Sequence, residues 1–355
     1  MPAYQIWLLG DQYDCVRLLA NTETVKTWQK LRYVQTLNDM SSCAIDLLPN
    51  AAAIEDVAIG RRVAIYRDGQ LIWGGFLSRI AWEVAADGQD TYSVNALDYA
   101  CYASWRHIIP AAGAMYDRQH GAADDVAKAF VTNCLGTTGA RLESDVVNDT
   151  TRSAGVRDTE EARYDNFLTQ LIAIGKRTGI RWRFVSLSDH VEFRTAYPYW
   201  GQDHREGNNG ECVWSLDRRN IRGLQYVQDA TDHANYVYVA GQGEEENRMV
   251  VEVSDSAAIA AYHRRETFVD ARQLSLASSL AARGQQELTT KAVVEQLTAE
   301  PLPGSWRNTW DLGDIVTIKA NKYGRKVTKN VEITQVTVEV GADGVEIATP
   351  EVNVL

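Results

Sequence analysis

The sequence predicts an α+β, mainly β protein: two similar β-barrels accompanied by two α/β insertion domains. Three observations carry this. Strand-like segments follow one another through the first hundred residues, a tight hairpin occupies RRVAIYRDGQLIWGGFLSRI (61–80), and the pattern around that hairpin returns after residue 312. A chain of 355 residues exceeds one ordinary core, so more than one domain is expected.

The elements follow in order. Tyr4 to Leu8, Val16 to Leu19, Val25 to Val34, Cys43 to Leu48 and Thr91 to Ala96 carry β-branched or aromatic residues at short spacing, separated by Asn, Asp and Gly. In the hairpin, Val63 and Ile65 alternate before the break Arg67-Asp68-Gly69-Gln70, and Leu71 and Trp73 alternate after it. Alternation interrupted by Asp-Gly is a strong short-range hairpin signal. The pair Gly74-Gly75 inside the second strand marks a bend or a close backbone approach, either within one barrel or toward a neighbouring chain. A short helix is expected at Asp98 to Ser104, which closes a first barrel over 1–105.

Residues 106–205 read as an α/β domain. AADDVAKAFVTNCL is helical, and the stretch Glu160 to Thr178 places Phe167, Leu168, Leu171, Ile172 and Ile174 on one stripe before Gly179 stops it. IRWRFVSLSDHVEFRT then alternates as two strands. WGQDHREGNNGE (200–211) reads as a linker. Strands return at Val213 to Leu216, Ile221 to Gln228 and Ala234 to Gly241, so 206–242 is the first part of a second barrel. An α/β insertion with a helix near Leu274 to Leu288 fills 243–305, and 306–355 completes the barrel.

The second barrel rests on an internal repeat. LRYVQTLND (Leu31–Asp39) aligns with LQYVQDATD (Leu224–Asp232). IGRRVAIYRDG aligns with LGDIVTIKANKYG, placing Gly60 on Gly313, Val63 on Val316 and Ile65 on Ile318. RIAWEVAADG aligns with EITQVTVEVGADG, placing Ile80 on Ile333. Any two β-meanders converge on alternation and Asp-Gly turns, but that convergence does not produce the shared LxYVQxxxD. The first copy keeps its halves close together, whereas the second is interrupted between Asp232 and Gly313. The candidate structural residues are those of the repeated hairpins: Asp68, Gly69, Gly74, Gly75, Gly313 and Asp314.

Charge and motif content narrow the function. With 36 Lys and Arg against 47 Asp and Glu, the net charge is −11, which argues against wrapping nucleic acid. Five widely spaced cysteines without a C-x-x-C imply reduced, buried thiols, not a disulfide framework or a zinc cluster. The N-terminus lacks a secretory pattern and no segment is long enough to span a bilayer, so synthesis in a cytoplasm is expected. G-x-S-x-G, H-E-x-x-H and P-loop motifs are missing, and no cofactor or metal is expected. The densest polar cluster, Asp203-His204-Arg205-Glu206, lies in the expected linker, where a preorganised site is hard to hold; His233 and His263 lack partners at ligand spacing. Ten Trp and sixteen Tyr raise a carbohydrate-binding alternative, with Tyr197, Tyr199 and Trp200 as stacking candidates. Trp73, Trp82 and Trp182 are expected in the core.

At KLRYV, at IDLLPNAAAIEDVAIGRRVAIYRDGQLIWGGFLSRI, at DHANYVYVAGQG and at LGDIVTI, the chain resembles the tail-hub (baseplate hub) proteins of tailed bacteriophages, in their siphophage-like branch. The resemblance implies two tail-tube-like barrels per chain, one continuous and one interrupted. It also implies a homotrimer that joins a six-fold tail tube above to a three-fold spike or fibre below, at the tip of a virion's tail. DNA would pass its lumen without specific binding, a role that negative charge suits.

Overall fold

A computed structural model describes residues 1–22, 28–48, 54–84, 90–136, 145–272 and 274–355. Strands outnumber helices throughout. The chain begins with β1 (Tyr4–Leu9), β2 (Cys15–Asn21), β3 (Trp28–Thr36), β4 (Ser42–Leu47), β5 (Arg62–Arg67), β6 (Gln70–Glu83) and β7 (Thr91–Asp98), followed by the short helix α1 (Cys101–Ser104). The next stretch holds β8 (Asp117–Ala122), α2 (Ala123–Leu135), β9 (Val146–Asn148), β10 (Arg157–Ala162), α3 (Phe167–Thr178), β11 (Arg181–Ser186) and β12 (Val191–Ala196). Then come β13 (Val213–Ser215), β14 (Ile221–Asp229), β15 (Tyr236–Ala240), β16 (Val250–Ser254), α4 (Ser256–Tyr262), β17 (Glu266–Asp270), α5 (Ala277–Thr290) and β18 (Val294–Pro301). The chain ends on β19 (Ile315–Lys322), β20 (Arg325–Gly341) and β21 (Glu346–Val354).

Two compact units divide the chain: residues 1–224 with 299–353 and Leu355, and residues 225–298 with Val354. In the first, eleven strands form one sheet in the order β13-β19-β20-β3-β4-β7-β6-β5-β1-β2, with β21 also on β20. Among the described residues no sheet closes into a barrel. Strands expected in two separate barrels, β1–β7 of the first and β13 and β19–β21 of the second, thus share one sheet, because β20 pairs with strands of both halves. β14 and β18 form a ribbon of their own.

Residues 106–205 were expected to fold as a separate domain but share a core with the first strands. Leu9, Ala64 and Tyr99 belong to the same buried cluster as Phe130, Phe167, Leu171, Trp182 and Phe193. The reason is the apolar stripe of α3, whose Phe167, Leu171 and Ile174 are buried. Burying each large apolar side chain contributes roughly 1.5–3 kcal/mol. Asn166 accepts from the Thr169 N–H at 3.1 Å and starts α3, and Gly179 at φ 78° ends it. The helix therefore begins later than the stripe from Glu160 predicts: Glu160 sits in β10, opposite Gln119 of β8.

The second unit holds β15 between antiparallel β16 and parallel β17. Leu280 and Leu288 of α5 pack with Val237 and Val239 of β15, and a Cβ on Gly284 would lie 2.5 Å from Val253, so helix and sheet meet where only glycine fits. β15 lies within 206–242, expected in the second barrel, but pairs inside this insert.

The repeat is visible in backbone detail. Gly60 and Gly313 both have positive φ, 81° and 87°. The Gly60 N–H donates to Leu77 O and the Gly313 N–H to Ile333 O, each at 2.8 Å. Leu77 N–H then donates to Arg61 O and Ile333 N–H to Asp314 O, each at 2.9 Å. Ile333 therefore corresponds to Leu77 and not to Ile80; the β19–β20 hairpin is three residues longer than β5–β6 and absorbs the difference.

β7 ends on Asp98, which is buried and accepts from the Ala100 N–H at 3.1 Å. Burial pushes its carboxyl up to about 6 from an ordinary 3.8, against hydrogen bonds from Ser41 and the nearby Arg183 charge. The folded chain keeps this proton where the unfolded chain has released it, so the contribution of Asp98 to stability falls as pH rises from about 4 to about 6. Asp98→Asn retains an acceptor for Ala100 and removes that dependence. In thermal unfolding between about pH 4 and pH 7, the Tm difference shifts in the variant's favour as pH rises; parallel profiles would contradict the assignment.

Candidate assembly site at the β3–β20 junction

β20 is 17 residues long, and this length creates the junction. Its first half, Arg325 to Glu332, pairs with β19; its second, Gln335 to Gly341, pairs antiparallel with Thr36 to Lys30 of β3. Val336, Val338 and Val340 point inward and are fully buried, as are Leu31 and Tyr33 opposite. The Leu37 N–H adds a bond to Thr334 O at 2.9 Å. On the outer face Glu339 meets Lys30 at 3.1 Å and Arg32 at 3.6 Å; these exposed pairs contribute well under about 1 kcal/mol each. The junction is held by backbone pairing and apolar burial.

A buried polar cluster secures it from the side. Glu346, the first residue of β21, has a side chain 3% exposed and accepts from Arg67 Nε at 2.8 Å and Nη2 at 3.2 Å. It also accepts from the Tyr4 hydroxyl, which shares a 3.0 Å bond with the Tyr33 hydroxyl. The Arg67 guanidinium lies 5.4 Å from the centre of the buried Trp306 ring. Burial, then the neighbouring Glu346 charge, pushes the Tyr4 phenol well above its usual range, so it acts as a donor at any physiological pH.

Of the sequence-selected residues, Asp68 and Gly69 lie beside this cluster. Asp68 and Gly69, at φ 50° and 76°, make the two-residue turn of β5–β6. Asp68 N–H donates to Ala3 O at 2.7 Å while its Oδ1 accepts from Ala3 N–H at 2.8 Å, which fixes the N-terminus beside Arg67. Gly74 and Gly75 are close approaches inside the chain: a Cβ would lie 2.5 Å from Ser186 Oγ at Gly74 and 2.0 Å from Leu97 O at Gly75.

Gly313 and Asp314 lie apart from the Asp68 turn, against Trp200–His204. Asp314 is buried and accepts from the Gln202 and Asp311 N–H groups, each at 2.7 Å, and burial raises its pKa. Gly201 N–H donates to Gly313 O at 3.0 Å and His204 N–H to Ile315 O at 2.9 Å. The expected linker is therefore packed along the start of β19, and lines a cleft of about 890 Å³ with Trp200, His204, Arg307 and Trp310. His204 Nδ1 bonds to Gly210 O at 2.8 Å, and Nε2 lies 3.7 Å from Asp314. Asp203 binds its neighbour Arg205. Among the described residues no three His, Cys, Asp or Glu side chains are grouped to hold a metal, and all five cysteines are free thiols. Among the described residues no helix is long and apolar enough to cross a membrane.

Of the aromatic residues expected in the core, Trp73 and Trp182 are buried but Trp82 is 70% exposed. Alternation assigns a face to Trp82 but does not say whether anything covers it. Tyr197 is exposed, and Trp200 lies 5.9 Å from the Arg183 guanidinium. Sequence reasoning does not reach the Tyr4–Arg67–Glu346 cluster: its members are distant in the chain, and although Tyr33 and Arg67 fall in repeated segments, Tyr4 and Glu346 do not.

Two variants test this geometry. Glu346→Ala removes the acceptor that Arg67 and Tyr4 share, leaving Arg67 the half-exposed Asp68 carboxylate at 3.1 Å and Tyr4 the Tyr33 hydroxyl, and should cost about 3 kcal/mol in urea unfolding, whereas Tyr4→Phe should cost about 1 kcal/mol. Equal small losses would show that the cluster contributes little. Gly75→Ala should cost at least about 2 kcal/mol, since the clash is with backbone; an unchanged midpoint would contradict the close approach.

The sequence matches the Siphovirus ReqiPepy6 Gp37-like protein family over residues 17–352. No curated protein matches it. Among solved structures, the 43 kDa tail protein of prophage MuSo2 from Shewanella oneidensis superposes with a TM-score of 0.63 at 14% identity, covering 99% of this chain and 98% of that one. A tail protein from Neisseria meningitidis MC58 gives 0.60 at 13% identity, covering 99% and 96%. The prophage tail protein gp18 from Listeria monocytogenes EGD-e gives 0.54 at 11% identity, covering 98% and 94%. These likenesses show a shared fold across nearly the whole chain. With its match spanning almost the full sequence, the chain belongs to the Siphovirus ReqiPepy6 Gp37-like protein family.

Proposed function

We propose that this protein is a non-enzymatic structural hub at the distal end of a phage tail, which joins a six-fold tail tube to a three-fold tip and surrounds the DNA path. The observation that carries the reading is the pairing of β3 with β20. It joins a strand of the first repeat to a strand of the second, so one chain already contains two like β-rich halves side by side. Two tail-tube-like barrels per chain, one interrupted by the insert at 243–305, would become complete only in the assembly. Three such chains would offer six near-equivalent halves to a tube and a three-fold face to a spike or fibre.

The fold shared with phage tail proteins and the family membership support a place in the tail of a virion. The net charge of −11 suits a wall past which DNA slides without sticking. Distal tail or tube proteins above and a spike or fibre protein below are the partners this reading requires.

Native mass spectrometry over a range of concentrations tests it. The expected species is a trimer, at about three times the 39.6 kDa chain mass. A stable dimer would contradict the hub, because no two-fold assembly of two-halved chains matches a six-fold tube.

A further inference from the structure

The correspondence between the repeats reaches individual residues. Leu77 corresponds to Ile333 by its hydrogen bonds, which places Trp82 on Val338 and Val84 on Val340. The shared LxYVQ segment places Leu224 of β14 on Leu31 of β3 and Tyr226 on Tyr33. Inside the chain, β20 past Ile333 pairs with β3. The two remaining counterparts have no such neighbour among the described residues: β14 has β18 alone as a strand partner, and β6 past Leu77 has β7 alone.

We propose that copies of this chain join through that second pairing, with β14 of one copy laid antiparallel along residues 79–84 of the next. The proposal rests on the ring reading above and deepens it by naming the interface. Transferring the β3–β20 register sets Arg79 opposite Asp229, Trp82 opposite Tyr226 and Val84 opposite Leu224. These are an opposite-charge pair, an aromatic pair and an apolar pair, each favourable across an antiparallel ladder. A slip of one residue would turn Trp82 and Val84 to the other face, so the register is specified.

Exposure supports the same occupant. Trp82 and Val84 are 70% and 71% exposed, whereas their counterparts Val338 and Val340 are fully buried at the internal junction. An open edge that carries large apolar side chains invites another strand. The interface is also head-to-tail: the edge that β14 offers corresponds to the edge of β3, and residues 79–84 correspond to β20. Repetition of one heterologous contact closes a ring when its rotation allows. Internal and external junctions would then alternate around that ring.

Disulfide trapping tests the register. In a Cys15→Ser background, which removes the exposed native thiol, Glu83→Cys and Gln225→Cys chains are mixed and oxidised. Directly opposite residues have Cα atoms about 4.5–5.5 Å apart, within disulfide reach. The expected result is a covalent dimer from the mixture and none from either variant alone. Both substitutions in one chain should give a covalent ladder that ends at the trimer. Arg79→Cys mixed with Gln225→Cys lies about 13 Å out of register and should not cross-link. A trimer without the in-register disulfide, or one trapped equally by the control, overturns this pairing and leaves the ring reading standing. A chain that is monomeric at every concentration overturns both. Trp82→Lys provides an independent reading: circular dichroism should be unchanged while the native mass falls to a single chain, and a retained trimer overturns the proposal.

Discussion

The large sheet depends on one strand serving two neighbours along a single edge. β20 is long enough to complete a hairpin with β19 and then continue along β3. A strand as short as β5 could not do both. Each residue added to the ladder supplies backbone bonds and, at every second position, a buried valine. This construction places the two repeats side by side without a separate interface of their own. Glu346 then holds the arrangement from the side, because its carboxylate receives Arg67 and Tyr4 from the first repeat while β21 belongs to the second. Removing one partner from such a cluster costs more than the intact cluster contributes, since desolvating its charges offsets much of their attraction.

Much of this was legible in the sequence, for local physical reasons. The Asp68–Gly69 turn follows from the positive φ values that a two-residue hairpin demands. Helix α3 follows from its stripe and its Gly179 stop, whereas its start at the Asn166 cap, six residues after Glu160, is seen only in the structure. The repeat was visible as text. Its register was not: alignment set Ile80 on Ile333, while the hydrogen bonds of Gly60 and Gly313 set Leu77 there. Alternating residues align almost equally well at several offsets, and only backbone geometry separates them.

Features that depend on distant partners stayed hidden. The Gly-, Asn- and Asp-rich run at 200–211 reads as a linker by composition, but Asp314 and the start of β19 supply bonds that hold it in place. Closure into barrels was inferred from strand density, which does not determine where an edge goes. Trp82 reads as core by alternation and is exposed in the single chain. The neighbours that Gly74 and Gly75 accommodate are Ser186, Tyr99 and Leu97 of the same chain, distant from the glycines in sequence.

The central claim is that one chain supplies two like halves of a closed ring. Electron microscopy of the purified assembly, averaged without imposed symmetry, tests this most directly. The account predicts a three-fold ring around an open centre, with six lobes of similar density on one face. A two-fold particle, or a ring whose lobes equal the number of chains, would contradict it.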